Sequence, residues 1–164
     1  LVTNTYTERA DFMSRIASLR EALTDVLEVP ALTRLGIRYV SRVTDDAVLG
    51  HLDRYVRREL LAAAVAPISD HAELVQSFTD MVFQQDQTIV RLRTGLTPPG
   101  TQPDPSIAVD DQAAWLCDID AYDTRLVTAD ERVDERAADL AEDAYQVFRW
   151  VVTDEFLKHH GGDV

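Results

Sequence analysis

The chain has 164 residues, 46% of them apolar, a single cysteine and a formal net charge of −13. A chain of that length buries roughly 70% of its unfolded surface and needs no disulfide or metal to fold, while the lone Cys117 excludes an internal disulfide and a cysteine-cluster zinc site. It fits a reducing compartment, so a cytoplasmic location is expected. The net acidity opposes nucleic-acid phosphates and suits a basic protein partner, and no apolar run approaches the ~18 residues of a membrane span.

The chain opens on Leu1 rather than methionine, which points to a fragment or a chain trimmed at its amino end, and residues 1–164 are read as one α+β domain. Residues 7–28 predict a helix, because Phe12, Ile16, Leu19, Leu23 and Val26 recur at intervals of three and four. Pro30 is expected to end it.

Residues 32–43, "LTRLGIRYVSRV", place Arg34, Arg38 and Arg42 four apart. That spacing suits a helix face or a strand face, and the apolar residues decide. As a strand, Leu35, Ile37, Tyr39 and Val43 fall together, opposite Arg34, Gly36, Arg38 and Arg42. As a helix they would scatter. A strand with one core face and one cationic face is expected.

Residues 46–66 predict a second helix, with Leu49, Leu52, Val56 and Leu60 on one side, Asp45 as its cap and Pro67 closing it. Within 73–96, "QTIVRLRTGL" alternates: Thr88, Val90, Leu92, Thr94 and Leu96 on one face, Arg91, Arg93 and Gly95 on the other. The preceding "ELVQSFTDMVF" is rich in β-formers, and a turn near "QQDQ" would join the two as a hairpin. Residues 97–111 hold four of the six prolines and read as a long surface loop.

"AAWLCDIDAY" resumes the two-residue period. Asp118 and Asp120 share the face of Leu116 and Tyr122, while Trp115, Cys117 and Ile119 face the core. The final stretch carries a capping box, Thr128 with Glu131, and a stripe of Val133, Ala137, Leu140, Ala144, Val147, Phe148 and Val151. Thr153, followed by two acids, can start an offset segment that ends at Gly161 and Gly162. The element order implies an antiparallel-rich sheet of about four strands, packed against two or three helices including a long carboxyl-terminal one.

Arg34, Arg38, Arg42, Arg91 and Arg93 then lie on one sheet face. Like charges opposite each other across strands are destabilising, so this face needs anions. Asp118 and Asp120 are the expected partner carboxylates, in an Arg–Asp ladder across neighbouring strands. A face that receives an anionic ligand or another protein segment is the functional alternative.

"RLGIRYVSR" resembles the R-x-G-x-R-Y-x-x-R core of an uncharacterised, sporadically distributed bacterial protein family. "LCDIDAY" is similar to that family's D-x-D strand, and "AYQVFRWVVTDEFL" to its aromatic-x-x-x-[IV]-T-[DE] ending. The resemblance marks Arg34, Gly36, Arg38, Tyr39, Arg42, Asp118, Asp120, Phe148 and Thr153. It implies that residues 1–164 are the carboxyl-terminal portion of a longer protein, from an accessory or defence-related bacterial gene, and it assigns no activity.

No phosphate loop, nucleophile elbow, Rossmann glycine pattern or Cys–His arrangement is present. No cofactor and no metal site are expected; Asp118 and Asp120 could converge on a cation, with Asp123 pointing away. The histidines lack metal spacing, and His159 with His160 reads as solvated tail. Two functions are compatible with these residues. The first is a non-enzymatic protein-binding or oligomerisation module with no nucleic-acid or membrane partner. The second is a metal-assisted hydrolase or nuclease-like enzyme using Asp118 and Asp120, with Arg38 as a charge clamp.

Overall fold

The computed structural model describes residues 1–3, 5–28, 31–61, 69, 71–125, 127–128 and 132–162. Helix α1 (Arg9–Val26) leads through the two-residue strand β1 (Ala31–Leu32) into β2 (Leu35–Val43). Short turns of helix follow, α2 (Asp46–Leu49) and α3 (Leu52–Tyr55), with a 3-10 turn at Arg58–Leu60. Strands β3 (Thr79–Gln85), β4 (Thr88–Thr97) and β5 (Ala114–Asp123) come next, then β6 (Val127–Thr128), α4 (Arg132–Val151) and α5 (Asp154–His159). The fold is α+β. The main sheet is fully antiparallel in the order β2-β5-β4-β3, and β1 pairs with β6 as a small separate ribbon.

The two-residue period of the three longest strands sets the layers. Ile37, Val43, Val90, Leu92, Trp115, Cys117 and Ile119 are buried on one face of the sheet. Helix α4 packs there, bringing Ala137, Leu140, Ala141, Ala144 and Val151 into the same core. The pairings run without a bulge across β2–β5, β4–β5 and β3–β4, so every arginine stays on the face the alternation assigns it. The β3–β4 hairpin turns at Asp86 and Gln87, with Asp86 at a φ of 50°. At Gly95 the chain before β3 crosses so closely that a Cβ would sit 1.9 Å from the Ser77 carbonyl oxygen. Ser77 N–H donates to the Leu96 carbonyl at 3.2 Å, which holds this crossing.

Several expectations need correction. Residues 46–66 do not form one helix. Asp45 caps the first turn by accepting from Ala47 N–H at 2.8 Å, but the helix breaks at Gly50–His51 and again at Val56. There Val56 bridges to Val152, and Arg57 N–H donates to the Val151 carbonyl at 2.8 Å. Tertiary pairing overrides the helical period, although Leu52, Val56 and Leu60 are buried as that period requires. Helix α1 forms, but only Phe12 and Ile16 of its stripe, with the neighbouring Met13, reach the core; Leu19, Leu23 and Val26 are exposed. Its ion pairs Arg9–Glu142 and Arg20–Asp134 lay it antiparallel along α4. Residues 73–78 are not strand. His159 and His160 are no free tail: His159 Nε2 lies 2.8 Å from an Asp45 oxygen, and the His160 ring packs on Phe156 at 4.4 Å. Pro30, Pro67 and Glu131 fall outside the described residues.

Thr153 does start the offset segment. Its Oγ1 accepts from Phe156 N–H at 3.3 Å and donates to the Arg54 carbonyl at 2.7 Å, so the α5 cap also fastens α3.

Candidate functional site

β2, β4 and β5 bring all five arginines and both predicted aspartates to the sheet face opposite α4. The pairing differs from a simple ladder. Asp118, whose side chain is 1% exposed, sits between two guanidiniums. Arg38 donates to it through Nε at 2.7 Å and Nη2 at 2.8 Å, a bidentate fork. Arg93 donates from the other side through Nε at 2.9 Å. Two charge-assisted partners leave this buried carboxylate fully engaged. The Asp118 hydrogen bond in turn raises the affinity of Arg38 for its proton.

Asp120 pairs with Arg34 at 2.8 Å, and the Arg34 guanidinium lies 4.5 Å over the Tyr122 ring. Arg91 pairs with Asp80 on β3 rather than with Asp118 or Asp120. Arg42 likewise bypasses both predicted carboxylates. Its Nη1 donates to the Ala108 carbonyl at 3.0 Å and to Asp110 at 3.2 Å.

Asp104, Ser106 and Asp110 are the residues sequence reasoning missed, because nothing in a proline-rich loop's spacing tells where it folds back. The segment between β4 and β5 lies on the arginine face. Arg93 donates to Asp104 at 2.8 Å, and Arg38 donates to Ser106 Oγ at 2.8 Å. Hydrogen bonds from the Ser106 side chain and backbone, then from Arg93, hold the Asp104 carboxyl well below the usual carboxylate range. Ile107 of the loop is 7% exposed, and Leu116, which shares the outer face with Asp118, is 0% exposed; neither belongs to the main core.

A second carboxylate cluster lies at the other end of β5. Asp123 points away from Asp118, as its odd register requires, and is nearly buried by Arg125 and Arg136. Arg125 first, and Arg136 after it, depress its proton affinity. Arg136 also donates to Thr88 Oγ1 at 2.8 Å, and Thr88 donates to Asp143 at 2.8 Å. The legible signal here was local: an aspartate two residues before an arginine, closed by Arg125 N–H donating to Asp123 Oδ1 at 2.9 Å. An open depression of about 730 Å³ lies beside this cluster, lined by Thr88, Arg136, Asp139, Glu142 and Asp143 among others.

A divalent cation needs several free oxygen ligands. Asp118 is closed off by Arg38 and Arg93, and Asp120 by Arg34. Guanidinium charge at these distances repels a cation. Among the described residues, no group of three or more His, Cys, Asp or Glu side chains is arranged to hold a metal. Cys117 lies on the core face, and burial pushes its thiol up to about 12, far from thiolate chemistry. Among the described residues no helix is long and apolar enough to cross a membrane.

No family model, curated protein or solved structure matches this chain.

The surface left open lies at the sheet edges. At the β2 edge the arginines are drawn across the outer face, Arg38 to Asp118 and Arg42 to Asp110. β3 differs. No strand among the described residues pairs with its outer side. Val82 is 63% exposed and Phe83 39%, with the Phe83 ring 6.2 Å from that of the half-exposed Trp150. Asp80, the one charge in β3, is held by Arg91.

Proposed function

We propose that this chain is a non-enzymatic interaction module that self-associates by adding β3 of a second copy to its own β3. The observation that carries this reading is the outer edge of β3, which no strand among the described residues pairs. It has no lysine, proline or bulge, its charge is neutralised internally, and it exposes apolar side chains on both faces. A second copy is the occupant whose charge fits. The chain as a whole is strongly acidic and repels itself, yet "MVFQQ" brings no charge to an antiparallel meeting of two β3 strands. Main-chain hydrogen bonds would extend the four-stranded sheet to eight. Val82 would lie on one side of the junction, with Phe83 and Trp150 on the other.

Sedimentation equilibrium over a concentration series tests this. A reversible dimer is expected for the native chain. Val82→Lys, which sets charged side chains against each other across the edge, is expected to shift it to monomer without altering its circular dichroism. A native chain that stays monomeric at ~100 µM, where association stronger than about −5.5 kcal/mol is populated, overturns the reading.

A further inference from the structure

The loop between β4 and β5 covers a site of its own. On the sheet beneath it stand three guanidiniums, Arg38, Arg42 and Arg93, against one carboxylate, Asp118, since Asp120 is taken by Arg34. The loop supplies what is missing. Asp104 meets Arg93 and Arg38, Asp110 meets Arg42, and Ile107 is buried between these two anchors in sequence. Leu116, on the same outer face, is fully buried and apolar. An apolar contact rimmed by arginines is the construction by which proteins read short acidic segments.

The loop is tied down chiefly through side chains. Of its main chain, Gly100 N–H donates to the Asp110 carbonyl at 2.7 Å, closing the base, while Thr101 N–H donates to the Pro98 carbonyl at 3.3 Å and Ile107 N–H to the Asp104 carbonyl at 2.9 Å, closing internal turns. None is a ladder bond to the sheet. The base is Pro98, Pro99 and Gly100, the last at a φ of +73°.

We propose that residues 104–110 form an intramolecular strap on a peptide-recognition site, and that the site takes an acidic segment of another protein with the pattern Asp-x-x-apolar-x-x-Asp. The strap is that pattern in cis, at Asp104, Ile107 and Asp110. It competes with the partner and keeps the cationic site closed until a better segment arrives. The cis copy enjoys a high effective concentration, so the partner must bind more tightly than the strap does. This inference concerns a different face from the β3 edge and stands whether or not the chain self-associates.

The test uses a labelled peptide of residues 101–111, "TQPDPSIAVDD", against the native chain and a strap-released variant, Asp104→Asn with Ile107→Ser and Asp110→Asn. The released variant is expected to bind at least tenfold more tightly than the native chain. Its binding should weaken at least tenfold between 50 and 300 mM NaCl, and be lost when the peptide's Asp104 and Asp110 both become asparagine. No binding by the released variant, equal binding by both proteins, or binding indifferent to salt or to the peptide's charges overturns the proposal. If the variant does not fold, hydrogen exchange of the native chain decides. The Gly100 and Ile107 amides are expected to exchange through a local opening that salt accelerates, well before the amides shared by β4 and β5. Exchange of all these amides together, through global unfolding, overturns it.

Discussion

Arg38 stands opposite Asp120 in the β2–β5 register, yet its guanidinium closes on Asp118, two residues along the strand. The diagonal reach has a physical cause. Long side chains lean along the strand, and diagonal neighbours lie within their range. Arg34, just before β2, then closes on Asp120 from the next position along the same face. Arg93, directly opposite Asp118 on β4, completes the clamp. One buried carboxylate thus ties β2, β5 and β4 together through their outer faces. The regular four-residue spacing of the arginines is the repeat of strand positions that keeps each on that face.

Gly95 marks a backbone crossing and carries the first prediction. Any Cβ there would collide with the Ser77 carbonyl, which is backbone and cannot rotate away. Gly95→Ala is expected to destabilise by about 1–3 kcal/mol, the range for overpacking a fixed structure. A denaturant midpoint equal to that of the native chain contradicts the crossing.

The Thr153 hydroxyl serves two elements at once. Thr153→Ala removes the α5 cap and the bond to the Arg54 carbonyl, so a loss near 2 kcal/mol, the upper end for caps, is expected. Thr153→Ser keeps the oxygen and should recover most of it. An alanine variant as stable as the serine one would remove the cap from the account.

Period-two patterning made β2, β4 and β5 legible, with the correct face for every arginine and aspartate, because one face of those strands meets the apolar core and the other a network of charges. The α4 stripe was legible for the same reason at period 3.6. Residues 46–60 were not. Leu52, Val56 and Leu60 satisfy a helical stripe and are buried, but the backbone at Val56 spends its hydrogen bonding on Val152 and its neighbour Arg57 on Val151. Nothing local encodes a partner nearly a hundred residues away. The candidate site was half legible for the same reason. Asp118 and Asp120 follow from alternation, whereas Asp104 and Asp110 reach the arginines only through the return path of a loop.

Acid should weaken a different part of the molecule. Asp123 has a folded pKa held below its unfolded value of about 3.9 by Arg125 and Arg136. A depressed pKa contributes stability that is present above the unfolded value and lost as pH falls through it toward the folded one. Asp123→Asn is therefore expected to be less stable than the native chain at pH 7, with the difference shrinking below about pH 4. Comparing the two proteins removes the general relief of charge repulsion that an acidic chain enjoys on acidification. A difference that widens as pH falls below 4 contradicts the pairing.

The arginine face is a charge-paired network centred on Asp118, and the rest of the fold's outer face depends on it. A double-mutant cycle in urea between Arg38→Gln and Asp118→Asn tests it most directly, set beside the cycle for Arg38→Gln and Asp120→Asn. Removing one member of so buried a pair is expected to cost about 3–5 kcal/mol. The Arg38–Asp118 coupling should exceed ~1 kcal/mol, and the Arg38–Asp120 coupling should fall well below it. Zero coupling between Arg38 and Asp118, or the larger coupling to Asp120, would contradict the account.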